Sequence, residues 1–167
     1  MRKYVEKGDS QIVESEYIWP VGRSNRPDEI KTSFNPRNKR DKWHFHNGID
    51  LPAATGTPVY AIHSGKINLA APSDPPRFKS GHVVIKVEPK IKNTRALFLV
   101  YLQLGRIGEN IKKGVKVEKG DYIGNVGADD ANYPHLHIEF RKANSNGKFG
   151  NRRINPLNYL PYPTVRE

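Results

Sequence analysis

The chain has 167 residues, with 28 Lys and Arg against 17 Asp and Glu, a net charge of +11, and no cysteine. That length suits one domain with a real core, and the missing cysteine excludes disulfides, thiolate metal sites and thiol nucleophiles, so any metal must be held by His, Asp or Glu. The basic excess favours anionic partners such as nucleic acid, membrane headgroups or cell wall; scattered placement, with no zinc-finger spacing or RNP-like motif, ranks nucleic acid low.

Residues 1–18 carry no strong pattern, with basic residues but no apolar signal-peptide core, and are expected as an arm. Residues 19–161 are expected as one domain and 162–167 as a tail. No apolar run is long enough to span a bilayer. Thirteen prolines and fourteen glycines break the chain, and few stretches keep a 3.6-residue apolar period, so helix signals are poor. Short strand signals are frequent. Residues 59–62 follow the Thr55-Gly56-Thr57-Pro58 turn, and 66–70 follow Ser64-Gly65. Residues 82–88 place Val83, Ile85 and Val87 on one face, and 95–104 are apolar on both faces, as in a central strand. Between them, 89–94 reads as a hairpin loop.

In residues 111–127 Lys-Gly recurs after six residues, and glycines mark each reversal, which predicts tight turns between very short strands. Residues 55–67 have a similar look, hinting at two related β-halves. Residues 21–42, 72–80 and 141–153 are polar and rich in Pro, Gly or Asn, and are expected as loops. The expected fold is all-β, one domain with long loops.

Two stretches carry chemistry. In Tyr133-Pro-His-Leu-His-Ile-Glu-Phe140 the apolar alternation predicts a strand. His135, His137 and Glu139 then share one face, while Leu136, Ile138 and Phe140 enter a core. In His44-Phe-His-Asn-Gly-Ile-Asp50-Leu-Pro52, the Asn47-Gly48 turn between His46 and Asp50 can aim an imidazole and a carboxylate at one point. Imidazole plus carboxylate suits Zn²⁺, and a third ligand, for which His137 is the obvious candidate, leaves a fourth position open as in catalytic sites. Each motif alone is weak; together, without cysteine, they favour a metal site.

His46-Asn-Gly-Ile-Asp50-Leu-Pro-Ala-Ala-Thr-Gly-Thr-Pro-Val-Tyr-Ala resembles the first motif of the lysostaphin-type (LytM-like) zinc metallopeptidases. Ile30-Lys-Thr-Ser-Phe-Asn-Pro-Arg37 resembles the segment ahead of that motif, the glycine-punctuated 114–127 its hairpins, Pro134-His-Leu-His-Ile-Glu139 its closing motif, and Ile154-Asn-Pro-Leu-Asn-Tyr-Leu160 its tail. The likeness runs in order over roughly residues 18–161. It implies a duplicated hybrid-motif β-sandwich or barrel, and zinc-dependent hydrolysis of peptidoglycan peptide cross-links. It also implies His46, Asp50 and His137 as zinc ligands, with His135 as the histidine that activates water or stabilises the oxyanion. Localisation stays open; a bacterial cell envelope or extracellular setting is implied if a leader is missing from this sequence.

One position departs from the pattern. Where the family carries another catalytic histidine in Tyr-x-His-Leu, this chain reads Tyr101-Leu102-Gln103-Leu104. Glutamine hydrogen-bonds but does not titrate, and losing a general acid–base group costs ~10²–10⁴ in rate. Zinc binding is expected to survive, with activity weakened or dependent on His135, unless Gln103 orients water or the oxyanion. The alternative is a degenerate domain that binds wall or activates another hydrolase. A lipoyl- or biotin-carrier-like module, suggested by the paired hairpins, leaves the histidines unexplained and ranks low. His63 and His82 are expected as surface or partly buried histidines, His44 at the cleft rim, and Trp43 as a packing residue. Asn35, where the family usually has glycine, implies a changed turn. Glu139 is open between a role behind the ligands and an ordinary strand ion pair.

Overall fold

The computed structural model describes residues 16–22, 34–39, 42–75, 79–128 and 133–161; most of the expected 1–18 arm, residues 30–33 of the first family-like segment and the 162–167 tail lie outside them. The regular structure of the described residues is β throughout, apart from a single 3-10 turn at Pro156–Asn158. A two-stranded hairpin, β1 (Pro36–Lys39) and β2 (Lys42–Phe45), leads into β3 (Ile49–Pro52). Then follow β4 (Pro58–Tyr60), β5 (Gly65–Ala71), β6 (Gly81–Val87) and the long β7 (Leu97–Ile107). The chain closes with β8 (Lys116–Val117), β9 (Tyr122–Val126), β10 (His135–Lys142) and β11 (Arg152–Ile154).

Nine strands make one antiparallel sheet in the order β11-β10-β7-β6-β5-β8, with β3 added on β10 and β9 joining β7 to β4. The expectation of an all-β fold therefore holds. The two glycine-punctuated stretches lie antiparallel to each other: Val59 opposes Gly124, and Lys66 opposes Lys116. Between those points the backbones of Ala61 and Asp121 are also hydrogen-bonded.

Alternation decides which side chains enter the core. Val83, Ile85 and Val87 of β6 are buried, as are Leu136, Ile138 and Phe140 of β10. Each such side chain contributes about 1.5–3 kcal/mol by leaving water. Trp19 is buried too, and its indole N–H donates to the Pro161 carbonyl at 3.0 Å, tying the two ends of the described chain together. Tyr101, fully buried, accepts at its hydroxyl the Ile62 N–H at 2.8 Å. Burial pushes the Tyr101 phenol well above its ordinary value, so it stays neutral.

Three expectations need correction. Residues 21–42 were expected as loop but contain β1, whose polar residues pair with β2. Residues 141–153 were expected as loop, yet β10 runs on to Lys142 and β11 begins at Arg152, because Arg141 and Lys142 pair with Arg153 and Arg152 on one side and Phe98 and Leu97 on the other. The strand expected to end at Leu104 continues to Ile107, paired with β9. In each case a partner strand, distant or itself polar, satisfies the backbone where local hydrophobicity is silent.

Candidate metal centre

His46 follows β2 directly, and its backbone N–H donates to the Asn35 carbonyl at 2.9 Å. Asn47 and Gly48 turn the chain into β3, which carries Asp50. At Gly48 the chain passes against β10 so closely that a Cβ would sit 2.0 Å from the Ile138 carbonyl oxygen and 3.0 Å from His137 Nε2. Only glycine allows that approach. Along β3 and β10 the register sets Leu51 opposite Leu136, Asp50 opposite His137, and Ile49 opposite Ile138. The apolar pairs face the core, so Asp50 and His137 are left together on the other face.

Three donor atoms converge there. His46 Nε2 lies 3.3 Å from Asp50 Oδ1 and 3.3 Å from His137 Nδ1, and His137 Nδ1 lies 2.7 Å from Asp50 Oδ1. Ligand atoms about 2.0–2.2 Å from a tetrahedral Zn²⁺ lie roughly 3.3–3.5 Å apart. Two edges of the triangle meet that spacing. The third is a hydrogen bond from His137 Nδ1–H to the carboxylate, and that proton is the one a metal displaces. Among the described residues, His46, Asp50 and His137 are the group of three able to hold a metal ion. Two imidazoles and a carboxylate suit zinc in chemistry, and two of the three edges suit it in spacing.

Beyond the triangle, Glu139 is buried, and its Oε1 accepts from His137 Nε2 at 3.2 Å. Its Oε2 accepts from Arg141 Nε at 2.7 Å and Nη2 at 2.5 Å, while Arg153 Nε stands at 3.8 Å, an ion pair without a hydrogen bond. Burial opposes charge on His137, but the carboxylates of Asp50 and Glu139 outweigh it and raise its pKa above the ordinary histidine value. Burial likewise disfavours the Glu139 carboxylate, yet its hydrogen bonds with His137 and Arg141 prevail and lower its pKa.

His135 is buried on the same side, with Nε2 at 3.7 Å from Asp50 Oδ1. Its Nδ1–H donates to the Tyr133 carbonyl at 3.2 Å, which leaves Nε2 as the nitrogen facing the site, and its ring lies against Tyr133. Gln103 sits on β7 next to Leu102, the cross-strand partner of His137. It has φ of +64°, the left-handed region, where the β6–β7 register slips: Gly81 opposes Leu104 but Val83 opposes Tyr101. Its Oε1 is buried without a hydrogen-bond partner. A bulge that re-aims a side chain and a residue held at positive φ both gather at functional sites.

The family model for peptidase family M23 matches residues 44–156, which include all of these positions except Asn35. The chain belongs to peptidase family M23. Among relatives of this M23 domain, the peptidoglycan DD-endopeptidase ShyB of Vibrio cholerae is 28% identical over 141 residues, covering 82% of this chain. The chain spans only 30% of the length of that curated relative. Among solved structures, the catalytic domain of the antimicrobial peptidase lysostaphin from Staphylococcus simulans matches at a TM-score of 0.60 and 25% identity, over 78% of this chain and 90% of that one. A zinc-containing peptidase from Vibrio cholerae matches at 0.61 and 26% identity, over 84% of this chain and 39% of its own.

The other histidines of the M23 domain stand apart from the triangle. His63 donates from Nδ1 to the Ser64 carbonyl at 2.6 Å and packs on Tyr17. His82 lies on β6 opposite Ala71, and His44 is exposed on β2 opposite Arg37. Trp43, expected to pack, is 75% exposed, because β1 and β2 form a sheet separate from the main one. Arg141 and Arg153 escaped sequence reasoning, as did the close approach of Gly48 to β10. Arg141 was visible in principle, continuing the same-face series His137, Glu139; Arg153 arrives only through β11.

Proposed function

We propose that this M23 domain is a zinc-dependent endopeptidase acting on the peptide cross-links of peptidoglycan. The observation that carries the reading is the triangle of His46 Nε2, Asp50 Oδ1 and His137 Nδ1, with edges of 2.7–3.3 Å. These three residues would hold the metal. Zinc, when bound, supplies Lewis acidity toward the scissile carbonyl and a lower pKa for the attacking water. His135, with Nδ1 anchored on the Tyr133 carbonyl, takes the proton of that water at Nε2 and returns it to the leaving amine. Gln103 cannot carry a proton; its amide orients the substrate by hydrogen bonds.

The closing test joins two measurements. The purified protein is expected to hold about one zinc per chain, and to release peptide fragments from sacculi in a chelator-sensitive way. Zinc bound with no cleavage of any wall preparation sinks the enzymatic reading.

Gln103, which stands where the family carries a histidine and cannot move a proton, favours one second reading: a domain that binds wall or activates a hydrolase without cutting. Cleavage by Gln103→His but not by the natural protein supports it. Loss of a natural activity on His135→Ala excludes it.

A further inference from the structure

Outside the triangle, the described residues hold one buried carboxylate that the proposed chemistry does not use. Glu139 is 4% exposed and sits at the centre of a chain of charge-assisted contacts, from His137 on one oxygen to two arginines on the other. A buried carboxylate on its own is costly. Here Arg141 grips it through two nitrogens, and Arg153 reaches toward the same oxygen from the neighbouring strand. Arg141 donates to Oε2 from two nitrogens, which leaves Oε1 free to accept from the ring of His137.

That fixes what the facing nitrogen must do. With an acceptor 3.2 Å away, His137 Nε2 has to carry a proton, so the lone pair offered to a metal is on Nδ1. Nδ1 is the atom turned toward Asp50 and His46. Each oxygen of Glu139 is thus committed: Oε1 sets the tautomer and ring angle of His137, and Oε2 is pinned by Arg141. The series His137, Glu139, Arg141 lies on one face of β10, and Arg153 stands opposite Arg141 on β11. The edge strand is therefore wired to the ligand.

We propose that Glu139 is a positioning residue for the metal site: held by Arg141, it locks His137 with Nε2–H outward and Nδ1 toward the metal. The proposal rests on the zinc reading above, and its test separates the two. Zn²⁺ affinity is measured by chelator competition for the wild type, Glu139→Gln and Glu139→Ala, with melting temperature followed in parallel. Loss of an outer partner of this kind weakens metal binding by about 10–100-fold. Glu139→Ala is expected to fall in that range and Glu139→Gln, which keeps an acceptor oxygen and the shape, in between. In the zinc-loaded wild type, NMR should show a slowly exchanging imidazole N–H assigned to His137 Nε2, and this signal should be lost in Glu139→Ala.

If Glu139→Gln folds and binds zinc as tightly as wild type with the N–H signal unchanged, the positioning role is overturned while the zinc reading stands. A lower melting temperature with unchanged zinc affinity overturns it equally, since that is what a purely structural ion pair would give. Wild-type protein that binds no zinc overturns the functional reading itself, and the positioning role with it.

Discussion

Asp50 and His137 are 87 residues apart in the chain, yet they are direct cross-strand partners, with Oδ1 and Nδ1 separated by 2.7 Å. His46, four residues before Asp50, closes on the same point from the other side of a glycine turn. A site built on two paired strands and one tight turn is rigid, so its occupancy should couple to the stability of the sheet.

Zinc at 100 times its dissociation constant should stabilise the domain by about 2.7 kcal/mol. His46→Ala should abolish that increment and drop bound zinc from about one per chain to near zero. Denaturant titration with and without zinc, beside elemental analysis, measures both. An equal zinc increment in His46→Ala would show that the ion binds elsewhere.

Gly48→Ala should damage the site from beneath. The added methyl would meet the Ile138 carbonyl oxygen at 2.0 Å, a clash with backbone rather than with a flexible side chain. Relief requires β3 and β10 to part, and we expect a loss of at least about 3 kcal/mol, together with weaker zinc binding. Unchanged thermal stability would contradict the observed approach of the two strands.

Gln103→Gly separates strain from function. Glycine relieves the left-handed backbone and removes the orphaned buried oxygen, offset by glycine's greater chain entropy. A net gain of about 1 kcal/mol is expected, with zinc affinity unchanged and any wall hydrolysis reduced. A variant both less stable and equally active would remove Gln103 from the site.

Tyr101→Phe tests the core alone. Without the hydroxyl, the buried Ile62 N–H loses its acceptor, at a cost of about 1–3 kcal/mol. Zinc affinity should not change, since Tyr101 touches none of the three candidate ligands through that hydroxyl. Trp43→Ala is the surface contrast: at 75% exposure it should shift stability by no more than about 0.5 kcal/mol. Both follow from chemical denaturation.

Much of this was legible in the residues. Alternation in His135–Lys142 determined that His135, His137 and Glu139 share a face and that Leu136, Ile138 and Phe140 are buried, because strand periodicity is local. The His46-Asn-Gly-Ile-Asp50 spacing determined a turn flanked by an imidazole and a carboxylate, because Asn-Gly favours turns. Other features were not local. Nothing near Arg153 points to Glu139; β11 brings it there by pairing with β10. Polar residues in β1 and at the end of β10 read as loop because their partner strands cannot be seen from one segment. Trp43 reads as core by composition and is exposed because its hairpin stands apart from the main sheet. The sequence by itself determined the apolar strands, the buried faces of β6 and β10 and the candidate metal-binding side chains. Only the tertiary structure decided that β3 lies beside β10 in the register that sets Asp50 opposite His137, because register is a property of two segments and their shared core.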